Sequence, residues 1–190
     1  MRAPEQTFSY PYPHPAVTTD VVVFTIREGC LSILLVKRAT PPYQGCWALP
    51  GGFLDVDEDL DNCAARELQE ETGIGGLYLE QLYTFGKTGR DPRERVISVT
   101  YYALVPLDAI ATPRAASDAA AVGWHAFDAL PQLAFDHAEI IAMAHRRMVL
   151  KGYEPEDPVW PSEFMTNRIE RAREKYGHLV DHIPALPVSP

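Results

Sequence analysis

The 190-residue chain is short of cysteine, of long apolar runs and of positive charge, and each shortage excludes a class of protein. Its three cysteines, Cys30, Cys46 and Cys63, are odd in number and form no C-x-x-C pair. That argues against a disulfide framework or a zinc site and leaves them as ordinary thiols. No run of about 18 apolar residues occurs, so no helical membrane span and no membrane partner are expected. The opening MRAPEQTFSYPYPHP is too proline-rich and too polar for a signal peptide, and a cytoplasmic location is expected. Lysine and arginine number 17 against 26 acids, and no basic stripe offers a grip on duplex DNA, so no nucleic-acid partner is expected. Internal repeats and low-complexity tracts are also missing. What is there, 46% hydrophobic and 23% charged residues, suits one globular core with extensions.

The net charge of −9 is concentrated in one patch. Residues 55 to 71 hold eight acids (Asp55, Asp57, Glu58, Asp59, Asp61, Glu67, Glu70 and Glu71) against Arg66 alone. Four of them, Asp57, Glu58, Asp59 and Asp61, fit the first turns of a helix over 57–72, where carboxylates favour the positive end of the macrodipole. Gly73 then supplies the usual C′ stop. Around this helix the chain alternates. Ala16 to Ile26 and Leu31 to Val36 are β-branched apolar runs joined by Arg27, Glu28 and Gly29, which predicts a hairpin. The stretch 39–52, with Pro41, Pro42, Gly45, Pro50 and the Gly51-Gly52 pair, predicts irregular loop. Further strands are expected at 77–85, 96–105 and 120–127. Asp136 with Glu139 resembles a capping box opening a helix to about Leu150, stopped by Gly152. A proline-rich stretch follows, and Ser162 can cap one more helix to about Tyr176. The order of elements predicts an α+β domain whose mixed sheet is covered on both faces, over 16–150, between an N-terminal arm (1–15) and an extension (151–190).

The chemistry lies on the first helix. Helical spacing puts Glu67, Glu70 and Glu71 on one face while Leu68 turns to the core. Three such carboxylates repel one another, and a hard divalent cation relieves the repulsion, taking oxygen ligands and completing its shell with substrate phosphate oxygens. The segment from Gly52 to Ile74 reads GFLDVDEDLDNCAARELQEETGI and resembles the Nudix hydrolase signature G-x5-E-x7-R-E-U-x-E-E-x-G-U, with U a bulky aliphatic. Gly52, Glu58, Arg66, Glu67, Leu68, Glu70, Glu71, Gly73 and Ile74 fill every specified position. The resemblance implies the Nudix α/β/α sandwich, a Mg²⁺ cofactor with Mn²⁺ as the alternative, and metal ligation by Glu67, Glu70, Glu71 and the carbonyl of Gly51. Arg66 is expected to orient Glu67, and Glu58 to be mostly structural. Two residues compete as the base that takes the proton from water: Glu67, within the cluster, and Glu94, in a loop.

Substrate choice must come from outside that helix. The segment Phe85 to Arg95, FGKTGRDPRER, carries four bases against two acids, so Arg90 or Arg93 is expected to grip a diphosphate through a bidentate fork. A solvated turn is the plain alternative. GRDPR, with the earlier PAVTTDVVVF and the later LAFDH, resembles bacterial Nudix proteins acting on ADP-ribose and related NAD metabolites. Arg38 is placed either toward the phosphates or toward solvent, and Trp47 either stacks on adenine or anchors packing. His137, beside Asp136, reads as a surface residue. The expected partner is a nucleotide, with a homodimer as an option. The expected activity is metal-dependent hydrolysis of ADP-ribose to AMP and ribose 5-phosphate. The alternatives are hydrolysis of another nucleotide (a dNTP, NADH or a dinucleoside polyphosphate) and a Nudix-like sensor of NAD metabolites.

Overall fold

The computed structural model describes residues 10–106, 113–114 and 119–151. Strands β1 (Ala16–Arg27) and β2 (Cys30–Arg38) form the expected antiparallel hairpin, with Arg27 opposite Cys30. Its two-residue turn is left-handed throughout, Glu28 at φ 52° and Gly29 at φ 78°, which matches the twist of the flanking strands. The strands then part. Only Phe24 to Arg27 pair with β2, whereas Thr18, Thr19 and Asp20 pair with β4 (Gly51–Phe53), and the far end of β2 pairs with β3 (Trp47–Ala48). The 39–52 stretch expected to be wholly irregular therefore contributes two short strands to the opening. Two or three residues carry no readable periodicity; their strand character comes from the ladder they join.

The other edge of β1 runs parallel to β6 (Val96–Leu104), which pairs antiparallel with β5 (Glu80–Phe85), and β7 (Ala119–Ala126) lies antiparallel against β2. The result is one mixed sheet in which β1 is buried over its whole middle, as its unbroken Val-rich run requires. Alternation along β1 sends Val21 and Val23 into a core with Ala64 and Leu68 of the helix α1 (Leu60–Thr72). Thr19 faces the same side, its hydroxyl 3.3 Å from Cys63 Sγ. Asp20 faces the other side, where the helix α2 (His137–Leu150) buries His137, Ile140, Ile141, Ala144 and Met148. The sheet is thus sandwiched between helices in the expected α/β/α arrangement, and each fully buried Leu or Ile of these layers contributes roughly 1.5–3 kcal/mol.

The α1 start and the capping at α2 differ from the expectation. α1 begins at Leu60, with Asp59 at the N-cap, so Asp57 and Glu58 lie before it and only Asp61 is inside its first turn. Asp61 accepts the Tyr101 hydroxyl at 2.6 Å, so it also has a tertiary partner. Gly73 closes the helix as expected, at φ 73° with its N–H on the Gln69 carbonyl at 2.9 Å. At α2, Asp136 holds the N-cap position but makes no side-chain cap; its carboxylate is taken by Arg90. The expected stop at Gly152 and the expected helix over 162–176 lie outside the described residues. Among the described residues, no helix is long and apolar enough to cross a membrane.

Candidate active site

The opening between β1 and β2 positions the acidic face of α1. Gly51 and Gly52 are forced by close approach: a Cβ at Gly51 would lie 2.1 Å from the Thr19 carbonyl oxygen, and one at Gly52 would lie 2.3 to 2.6 Å from the carboxyl atoms of Glu67. Gly51 donates its N–H to Glu71 Oε2 at 3.0 Å. The bare β4 backbone therefore receives two glutamates of one helix face. Arg66 links the third, because its Nη1 donates to Glu67 Oε1 at 2.7 Å and to Glu70 Oε2 at 3.3 Å. The other edge of its guanidinium is bidentate to Glu58, Nε and Nη2 each at 2.8 Å. Those charge-assisted bonds hold the Glu58 carboxyl down to about 2, and the Glu58 contact raises Arg66 above its usual range. Beneath them Cys63 is buried, and desolvation pushes its thiol up to about 11. It is an inert thiol at neutral pH.

The basic segment after β5 divides its arginines between two tasks. Arg90 is 5% exposed, and both sides of its fork are taken by Asp136, Nε to Oδ2 at 2.8 Å and Nη2 to Oδ1 at 2.6 Å. Asp20 stands 3.8 Å from the same nitrogen and also accepts the Ser98 hydroxyl. The bidentate fork that the sequence offers for a diphosphate is thus engaged inside the protein. Arg93 is 38% exposed in its side chain and is held by Asp91, whose buried carboxyl is kept low by Arg93 against the cost of desolvation. The Arg93 guanidinium lies 5.0 Å from the Phe53 ring centre and 5.5 Å from that of Phe135. Arg38 comes to the same ring, 4.9 Å from the Phe135 centre, with Nε on the Pro42 carbonyl at 2.7 Å. Burial and then the neighbouring Arg93 lower the Arg38 pKa, while Glu71 and Asp91 oppose them.

His137 is buried rather than at the surface. Its Nδ1 accepts the Leu49 N–H at 2.8 Å, which leaves Nε2 to carry the proton facing Asp20 Oδ1 at 3.5 Å. Burial lowers its pKa against the pull of Asp20 and Asp136, so the ring is neutral at neutral pH. Trp47 is half-buried, edge-on to His125 with ring centres 4.2 Å apart. Glu94 is exposed in the loop. Four residues that sequence reasoning passed over also belong here: Asp20, Phe53, Phe135 and Asp136. Asp20 had a signal, an acid inside a buried valine-rich strand, which must find partners. Phe135 had only its place in the LAFDH segment, and what sets it apart, a backbone φ of 51°, is not written in residue type.

The donor set suits a hard divalent cation: carboxylates on one helix face, Glu71 on the Gly51 N–H and Glu67 in the space that a Cβ at Gly52 would take. Among the described residues no three acid, histidine or cysteine side chains are gathered around a single point, and Arg66 lies between Glu67 and Glu70. Glu67, Glu70 and Glu71 nonetheless share one helix face, and Glu70 is 62% exposed.

A sequence profile described as NUDIX domain matches residues 14–144. The chain is 38% identical over 141 residues to the ADPR-responsive transcriptional repressor of Acinetobacter baylyi, a match that covers 72% of this chain but only 56% of the repressor's length. It is 39% identical over 131 residues to the ADP-ribose pyrophosphatase of Methanocaldococcus jannaschii, covering 68% of this chain and 73% of that protein. Among solved structures, the NUDIX domain of Shewanella oneidensis NrtR complexed with ADP ribose superposes with a TM-score of 0.65 at 35% identity, covering 74% of this chain and 94% of that one.

Proposed function

The chain belongs to the NUDIX family, and from that premise we propose that it hydrolyses the pyrophosphate bond of ADP-ribose, giving AMP and ribose 5-phosphate. The observation that carries this reading is the acidic face of α1, Glu67 and Glu71 seated against the β4 backbone and Glu70 on Arg66, in a chain that also gathers two partly solvated arginines, Arg38 and Arg93, at one ring. A divalent cation, Mg²⁺ or Mn²⁺, held by Glu67, Glu70, Glu71 and the Gly51 carbonyl, supplies Lewis acidity at the phosphate oxygens. Arg66 orients Glu67, which takes the proton from the attacking water; Glu94 is the alternative base. Arg38 and Arg93 bind the diphosphate, Trp47 offers its ring to the base, and Arg90 acts through the loop that it anchors to Asp136. Choice of ADP-ribose is supported by the pyrophosphatase relative and by the ADP-ribose complex of the similar domain.

A second reading has its own support, the match to an ADPR-responsive repressor: ADP-ribose is bound as a signal rather than consumed, in a protein that acts with DNA. One experiment separates the two. Purified protein is incubated with ADP-ribose, dNTPs, NADH and dinucleoside polyphosphates under Mg²⁺ or Mn²⁺, and products are resolved by chromatography. AMP and ribose 5-phosphate formed with the highest kcat/KM are expected. Calorimetric ADP-ribose binding without product supports the sensor, and a higher kcat/KM for another nucleotide overturns the substrate assignment.

A further inference from the structure

Among the described residues, three non-glycine residues have positive φ, and two of them, Tyr43 (59°) and Phe135 (51°), are aromatics in edge-to-face contact with ring centres 4.8 Å apart. A bulky side chain adopts this conformation only where its surroundings impose it. The residues on either side of Phe135 are fixed. Ala134 donates its N–H to the Trp47 carbonyl at 2.8 Å, Asp136 is locked to Arg90, and His137 accepts the Leu49 N–H. The ring held in this way is half-buried and has two guanidiniums over it, Arg38 at 4.9 Å and Arg93 at 5.5 Å.

Two like charges converging on one ring is a costly arrangement, and it leaves donors available. Arg38 uses Nε for the Pro42 carbonyl, and Arg93 uses Nε and Nη2 for Asp91; among the described residues the terminal nitrogens of Arg38 and Nη1 of Arg93 have no hydrogen-bond partner. We propose that Phe135 is the post of a two-arginine clamp: its ring, fixed in a left-handed backbone conformation, presents the guanidiniums of Arg38 and Arg93 to the diphosphate of the substrate. An anion between the two guanidiniums would relieve their mutual repulsion. This assignment rests on the diphosphate-hydrolase reading above. It makes Phe135 a positioning residue, acting on the substrate through the arginines.

The test is calorimetric titration of the full chain with methylenediphosphonate and Mg²⁺, a diphosphate that cannot be hydrolysed, alongside ADP-ribose kinetics. Phe135→Leu keeps an apolar side chain that is not branched at Cβ but removes the π face, and the diphosphonate Kd is expected to rise about 3- to 10-fold. The KM for ADP-ribose rises by a similar factor, with kcat carrying the smaller share. Phe135→Tyr keeps the face and is expected to restore binding. Arg93→Ala weakens binding too, and Phe135→Leu added to it costs less than it does alone, because the two share one interaction. If Phe135→Leu loses its melting transition, Phe135→Met, which keeps more of the apolar length and also lacks the π face, takes its place in every comparison. Wild-type affinity in Phe135→Leu, equal losses in Phe135→Leu and Phe135→Tyr, or no diphosphonate binding by the wild type each overturn the clamp. Failure of ADP-ribose to be cleaved sinks the hydrolase reading alone, since the diphosphonate titration reports the clamp without turnover.

Discussion

Arg66 and Arg90 are both ringed by carboxylates, yet their surroundings differ in charge balance and in burial. Arg66, 28% exposed in its side chain, faces Glu58, Glu67 and Glu70, so its cluster keeps a surplus of negative charge at the edge of solvent. Arg90, 5% exposed, faces Asp136 and Asp20, and the remaining capacity of Asp20 is taken up by the Ser98 hydroxyl and His137 Nε2. The first cluster is incomplete and can accept a cation; the second is satisfied by the protein's own donors. Exposed surplus charge marks where chemistry is done, and buried carboxylates whose oxygens are engaged by the protein's own donors mark what holds the surrounding loops in register.

That contrast fails first if Arg90 proves dispensable to the fold. Arg90→Ala leaves Asp136 and Asp20 buried without their cation, and breaking such a pair costs about 3–5 kcal/mol. Urea unfolding is expected to show it as a lower midpoint, and Arg90→Lys to recover only part, lacking the fork. A stability loss below about 1 kcal/mol, as for an exposed pair, together with a raised KM would instead make Arg90 a substrate contact. The converse is expected at the other cluster. Glu70→Gln and Glu71→Gln each remove one anionic oxygen from the surplus, and turnover is expected to fall roughly 10²- to 10³-fold. Glu71→Gln still offers an oxygen to the Gly51 N–H, so thermal melting is expected to match the wild type or to rise as repulsion is relieved. Near wild-type turnover at saturating Mg²⁺ in both variants would remove the first cluster from the chemistry.

The two clusters also differ in how far the chain runs between their members, and this decides what the sequence could reveal. The partners of Arg66 lie one, four and eight positions away, inside the reach of one helix and the turn before it, so spacing alone brought them together. Arg90 meets Asp136 across 46 positions, Ser98 meets Asp20 across 78 and Leu49 meets His137 across 88. GRDPR, PAVTTDVVVF and LAFDH could each be singled out, but not their meeting at Asp20, Arg90, Asp136 and His137. The missing side-chain cap at α2 has the same cause: Asp136 stands at the cap position as expected, and a distant arginine claims its side chain. The hairpin, the mixed sheet and the Gly73 stop were legible because each follows from local pattern. β3 and β4 were not, because such short strands exist only through the register of β1 and β2.

The smallest expected effect lies on the border between the clusters' two roles, at Glu58, a member of the surplus that is nonetheless bound bidentately by Arg66. Its carboxyl is held at about 2 in the folded protein by that hydrogen bond, below the 4.5 of a free glutamate. A depressed folded-state pKa contributes stability that is complete above the unfolded value and is lost as pH falls through the folded one. Glu58→Gln is therefore expected to cost about 1–2 kcal/mol at pH 7, in the range for a charge-assisted hydrogen bond at a part-buried site. The difference from wild type should persist down to pH near 4.5 and shrink toward pH 2, where the wild-type carboxyl is itself protonated. Urea midpoints of the two proteins across that range measure it. A gap that stays constant with pH would mean that Glu58 acts through packing alone. A gap absent at pH 7, with turnover reduced, would mean that Glu58 belongs with Glu67, Glu70 and Glu71 in the cation-binding set.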